Sequence, residues 1–278
     1  MRFPIAAAAL LSALTPAAAR ADWEVALHGG PTFPFYEQSF AFDPGPISGA
    51  PGAIVDSEGL YRLDGQGGLS FGATLAFHPH AVLGLEARVD TADVDVRTGG
   101  VRYRVRVPAP PFGTLTADVD FIEGEGDLER LRPVSLNLRL RSPGATRVTA
   151  SAGVSYLPSF RFAIRQPIAA GLGPGGPQLE VAEIRLPAEA LPDEDGDGRW
   201  GVNAGLGLQR RIGPRVLVLA EGRYFRFQRQ TLHWGAPEGT GALTPVQDQL
   251  VEEITARLDP VRFNPTFFQA TLGVAFSF

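Results

Sequence analysis

The sequence predicts an all-β protein: a transmembrane, antiparallel, up-and-down β-barrel of eight strands. Three observations carry this. Eight segments of about ten residues alternate apolar with small or polar side chains, the length a tilted strand needs to cross a bilayer. Short and long connections follow one another in strict alternation. Beyond residue 21 no stretch reaches ~18 consecutive apolar residues, so no helix there is long and apolar enough to cross a membrane.

The composition narrows the function classes. The chain has 278 residues, 44% hydrophobic and 20% charged, with a formal net charge of −5. That is too apolar for a disordered chain. A mildly acidic balance argues against a nucleic-acid partner, whose affinity rests on phosphate contacts. With no Cys there is neither a disulfide framework nor a thiolate metal site.

Residues 1–21 read as a secretory signal. Arg2 precedes an apolar run from Ile5 to Leu14, and Ala19-Arg20-Ala21 forms a small-x-small cleavage site. Residues 22–278 then form the barrel domain, and loss of Arg2 and Arg20 moves the net charge from −5 to −7.

The strands follow in order. Trp23, Val25 and Leu27 alternate with Glu24, Ala26 and His28, and Leu69 to Phe77 alternate with Ser70 to Ala76. Leu83, Leu85, Ala87 and Val89 oppose Gly84, Glu86, Arg88 and Asp90. Val134 to Leu140 oppose Ser135, Asn137, Arg139 and Arg141, and Val148 to Tyr156 oppose Thr149 to Ser155. Trp200 to Leu208 oppose Gly201 to Gln209, and Val218 to Tyr224 oppose Leu219, Glu221 and Arg223. Phe225 and Phe227 then break parity, which suggests a bulge near the rim. In the last strand Phe268 to Phe278 oppose Gln269 to Ser277. One face is apolar for lipid and the other is small or polar, as a narrow barrel interior requires.

The tight connections, near 78–80, 142–146 and 212–215, suit periplasmic turns. The long ones, roughly 34–66, 92–133, 158–198 and 229–264, suit extracellular loops. Two runs inside the second, from Val101 and from Leu115, also alternate. They form either two further barrel strands, giving ten, or a hairpin whose Arg and Asp rows pair.

The chain therefore resembles the small bacterial outer-membrane barrels of the OmpA and OmpW type. Thr271-x-Gly273-x-x-Phe276-x-Phe278 resembles the C-terminal signal read by the barrel assembly machinery. The resemblance implies location in the bacterial outer membrane, with membrane lipid and that machinery as partners. It carries over no catalytic residue, and it names neither a solute nor a surface partner.

Several features are candidates for chemistry. Glu86, Arg88, Asp90, Arg139, Arg141, Glu221 and Arg223 fall on the interior face, where charges must pair. They form either a closed ion network or a polar constriction. Asp193, Asp195 and Asp197 precede Gly198, the alternate-carboxylate pattern of a calcium loop, but position twelve is Ala204 and not Glu. Residues 244–259 read as one short helix, capped by Thr244 with Pro245 at its first position. Phe33, Phe35, Tyr36, Phe40 and Phe42 crowd the first loop. The four histidines form no pairing with a rim serine, so a lipid-modifying enzyme is not expected. The expected role is non-enzymatic and structural, or one of surface interaction through the long loops; the alternative is a narrow porin-like channel.

Overall fold

The computed structural model of the chain describes residues 22–40, 54–58, 61–108, 111, 113–158, 162–172, 179–190, 200–238 and 259–278. The strands in chain order are β1 (Asp22–Pro34), β2 (Glu37–Phe40), β3 (Ile54–Glu58), β4 (Tyr61–Gln66), β5 (Gly68–His78) and β6 (Leu83–Thr98). Next come β7 (Val101–Pro108), β8 (Thr114–Phe121), β9 (Gly124–Leu131), β10 (Val134–Arg141), β11 (Thr146–Tyr156) and β12 (Phe162–Leu172). The last are β13 (Leu179–Ala190), β14 (Trp200–Arg211), β15 (Val216–Phe227), β16 (Gln230–Trp234), β17 (Val261–Phe263) and β18 (Thr266–Ser277).

Eight of these close a ring in the order β1, β5, β6, β10, β11, β14, β15, β18 and back to β1, every pair antiparallel. Closure satisfies the peptide groups that lipid cannot. The register sets the tilt. From Arg211 the paired residues run through Leu217, Ala275, Ala26, Thr74, Arg88, Ser135 and Ser155 to Gly201, ten positions along the strand they started from. Such a stagger inclines the strands by about 40° to the barrel axis.

The ring is inside out relative to a water-soluble domain. Leu27 and Leu272 are 65% and 70% exposed, whereas Glu24 and Glu86 are each 1% exposed. The apolar exterior is bounded by aromatic pairs at both ends: Trp23 with Phe77, ring centroids 4.7 Å apart, at the end of the tight turns, and Tyr156 with Trp200, 4.9 Å apart, at the other. Gly144 takes φ +114° in the turn between β10 and β11, a backbone state that only glycine adopts without strain.

Above the ring the wall continues. The first two long connections contribute β2–β4 and β7–β9, the others β12–β13 and β16–β17, so the described parts of the expected loops are largely strands. Pairing runs β2–β4–β6–β9–β12–β13–β16–β17. Across the seam from β17 to β2, the backbone N–H of Arg262 donates to Gln38 Oε1 at 2.9 Å. This upper storey encloses an apolar core that includes Val94, Val96, Phe162, Ile164, Ile184 and Leu186.

The barrel is eight-stranded, and β7 and β8 are the extramembrane hairpin. Arg102 donates to Asp120 at 2.8 Å and Arg104 to Asp118 at 2.9 Å across it, and Arg106 reaches Asp56 on β3. Tyr103 and Phe121 pack edge to face, 5.3 Å apart, on its buried side.

One expectation is corrected. Phe225 and Phe227 mark no bulge, because β14 and β15 stay in continuous register from Gly201 opposite Phe227 to Arg211 opposite Leu217. Both rings simply continue the inward row of Leu219, Glu221 and Arg223. What changes is polarity: below this level the interior is polar and the exterior apolar, and above it the two are exchanged. β6 shows the same exchange, with Glu86, Arg88 and Asp90 followed inward by Ala92, Val94 and Val96, and Asp93, Asp95 and Arg97 on the other face.

The signal segment 1–21, the expected helix 244–259 up to residue 258, and Phe42 lie outside the described residues.

Two measurements check this architecture. Leu138 lies on the lipid face in the middle of β10. Leu138→Arg is expected to lower the unfolding free energy in lipid vesicles by about 2–4 kcal/mol, read from urea titration. The hydrogen bond from Arg104 holds the Asp118 carboxyl below the usual carboxylate range. A depressed folded pKa places that stabilisation above the unfolded value and removes it as pH falls through the folded one. Limited proteolysis of the β7–β8 hairpin is therefore expected to accelerate below about pH 4, and not in Asp118→Asn.

Candidate functional site

The interior of the ring is the candidate site. Strand alternation alone aims the side chains inward: Glu86, Arg88 and Asp90 come from β6, Arg139 and Arg141 from β10, and Glu221 and Arg223 from β15. All seven expected lumen residues do converge there, and every one but Glu221, which is partly buried, is buried.

Arg223 is the hub. Its Nη2 donates to Glu86 Oε1 at 2.7 Å and to Ser151 at 2.7 Å, its Nε donates to Glu221 at 2.8 Å, and its Nη1 donates to Asn203 Oδ1. Glu86 also accepts from Asn137 at 2.9 Å and from Arg139 at 3.1 Å. On the outer side, Arg88 bridges Glu221 and Asp90, each at 2.6 Å, and His28 Nε2 lies 2.8 Å from the other oxygen of Asp90. On the turn side, Arg141 donates to Asp22 at 3.0 Å and lies 3.8 Å from Glu24, and Gln209 donates to Glu24 at 2.7 Å. The charges thus alternate in sign along the axis, which compensates the desolvation each would otherwise suffer.

Two glycines make room for this network. A Cβ on Gly72 would fall 2.4 Å from Asp90 Oδ1 and 2.5 Å from His28 Nε2. A Cβ on Gly205 would fall 3.1 Å from the Arg223 guanidinium. The Gly-rich inward rows of β5 and β14 are therefore the space into which the long charged side chains of β6 and β15 fold.

The lumen is filled at two levels. The cavity beside Arg88, Arg139, Gln209 and Glu221 measures about 10 Å³, at most room for a single water. Above it Phe225, Phe227 and Phe267 stack, with Phe225 and Phe267 centroids 4.8 Å apart and planes within 22°.

Sequence reasoning missed Asp22, Glu24, His28, Asn137, Asn203 and Gln209 as members of the network. The parity of Glu24, His28, Asn137, Asn203 and Gln209 was legible, but their partners stand on other strands. It also missed the phenylalanine stack, whose signal was the polarity change on β15. Of the other candidates, Thr271 is buried on the inward face of β18 and Gly273 faces His28, whose Cβ would lie 2.8 Å from a Cβ there. Phe276 and Phe278 point outward at the turn end. Phe33 and Phe35 are exposed beside Phe268 and Tyr224 respectively, and Tyr36 packs edge-on against Phe263. Asp193, Asp195 and Asp197 lie outside the described residues, and among the described residues no three His, Asp or Glu side chains are grouped to hold a metal.

Breaking the hub should be costly. Arg223→Gln leaves Glu86 and Glu221 short of their shared cation and is expected to destabilise the barrel by about 3–5 kcal/mol, measured by the shift in urea midpoint at constant slope.

No protein-family model and no curated protein matches the sequence. Among solved structures, the outer membrane protein OprG from Pseudomonas aeruginosa is similar over 94% of this chain and 97% of its own, at 14% identity and TM-score 0.37. A FadL homologue from the same organism is similar over 94% and 90%, at 10% identity and TM-score 0.21. OpdK, also from Pseudomonas aeruginosa, is similar over 93% and 99%, at 10% identity and TM-score 0.12. A closed ring, an apolar exterior between two aromatic girdles and a polar, filled interior are what a strand-built protein needs in a bilayer. With those features, the chain is an integral β-barrel protein of the bacterial outer membrane.

Proposed function

We propose that this barrel is non-conducting and non-enzymatic, a membrane anchor for its extramembrane storey, which is the part that meets partners outside the cell. The observation that carries this reading is the double closure of the lumen, by paired charges around Arg223 and by the stacked rings of Phe225, Phe227 and Phe267. A solute would have to part both. The storey above is well built for display: its wall continues the barrel's, its core is apolar, and the β7–β8 hairpin carries a ladder of Arg–Asp pairs. Thr271, Gly273, Phe276 and Phe278 on β18 are proposed as the segment that the barrel assembly machinery reads during insertion. The outward position of Phe276 and Phe278 at the periplasmic end supports this.

Planar-bilayer recording on refolded protein tests the proposal, with insertion confirmed by heat-dependent gel mobility. No discrete current steps are expected, and no hydrolysis of added phospholipid. Reproducible steps would establish the channel reading instead, and reversing Glu221 or Arg223 would then change the ion preference.

A further inference from the structure

We propose that the lipid-facing wall of β14, β15 and β18 holds one anionic phospholipid of the inner leaflet, with its acyl chain in a groove and its phosphate on Arg210 and Arg215. The proposal does not depend on whether the lumen conducts.

The groove is a concavity of about 690 Å³ on the outside of the ring. That is within the range of small-molecule sites, roughly 300–1,000 Å³. Ala220, Gly222 and Ala270 form its floor, and Leu206, Leu208 and Leu272 flank it. Three small side chains stand together here in adjacent strands, with Gly222 opposite both Leu206 and Ala270. The Phe268 ring leans over Gly222, 2.8 Å from where a Cβ would be. Its lining is almost wholly apolar, so it suits hydrocarbon and not a polar solute.

Charge selects the headgroup. Arg210 is two residues from Leu208 on the same outward face of β14, at the turn end. Arg215 is exposed in the turn that leads to β15. Neither side chain has an ion pair or hydrogen bond among the described residues. The turns themselves, 142–147 and 209–216, contain four arginines and no carboxylate. Arg211 is engaged with its own turn through Pro214 O at 3.1 Å, and Arg147 with Gly144 O at 3.1 Å. Asp22, the acidic residue nearest this end, already accepts from Arg141 and Ser277.

The dimensions agree. From Arg210 to Leu206 is four residues, about 10 Å along the axis at the usual strand rise and tilt. An inner-leaflet acyl chain spans about 15 Å, half the hydrocarbon core. A guanidinium at the interface can extend along the wall to the headgroup and bind phosphate through paired N–H donors.

Native mass spectrometry of the delipidated full barrel in detergent tests this, with phosphatidylglycerol and phosphatidylcholine of equal chain length as probes. One phosphatidylglycerol should be retained in preference to phosphatidylcholine by about tenfold, because both present the phosphate and only choline adds a cation beside the two arginines. Arg210→Gln with Arg215→Gln should abolish the preference, and Ala220→Phe should reduce retention of both lipids by filling the groove. All these positions face lipid or water, and heat-dependent gel mobility verifies the fold of each variant. Equal retention of the two lipids by the parent protein overturns the proposal. So does a preference unchanged by the arginine substitutions, or retention unchanged by Ala220→Phe.

Discussion

Lipid offers the peptide group no hydrogen-bond partner, and the rest of this structure follows from that deficit. A strand in hydrocarbon must be paired on both edges, so the eight strands close on themselves. Closure leaves an interior too narrow for a second layer and an exterior that only apolar side chains can occupy. The inward row is then the only place for polar residues. Inside, charge is tolerable only when paired, which is why Glu86, Glu221 and Asp90 are interleaved with Arg139, Arg223 and Arg88. Glycine completes the arrangement, since Gly72 and Gly205 vacate the volume that the charged groups occupy.

The same constraint ends abruptly at the outer membrane surface, and the chain records where. On β6 the inward side chains pass from Asp90 to Ala92 and Val94, and on β15 from Arg223 to Phe225. On β15 the change comes without a bulge, since β14 and β15 stay in register to Gly201 opposite Phe227, whereas on β6 the pairing with β9 shifts register between Ala92 and Val94. Once water replaces lipid outside the wall, the hydrophobic effect drives apolar groups inward again, as in any soluble domain. The protein is thus a membrane barrel that carries an apolar-cored extramembrane storey, and β6 is the strand that takes part in the pairing of both. Their junction is the stack of Phe225, Phe227 and Phe267.

This junction links fold to function. Paired charges below and aromatic rings above fill the lumen, so the accessible faces of the molecule are two outer surfaces: the extramembrane wall, and the lipid-facing wall of β14, β15 and β18. The latter combines small residues at Ala220, Gly222 and Ala270 with Arg210 and Arg215, which have no partner among the described residues, at its periplasmic end.

The sequence by itself determined the barrel. Period-two alternation over eight segments, with an uncharged or pairable inner face, admits no other way to satisfy backbone in lipid. It also identified seven inward charges, because parity is a local property of a strand. Which charge meets which was decided only by the tertiary structure. The partners come from strands that are remote in the chain, as with Glu86 and Arg223, and the stagger of the closed ring sets their relative heights. The eight-strand count, left open against ten, was settled by the pairing of β6 with β10, which excludes β7 and β8 from the ring. The polarity exchange at Phe225 was visible in the sequence but misread as a bulge. Alternation reveals which face a residue occupies, whereas the solvent that face meets depends on where the membrane ends.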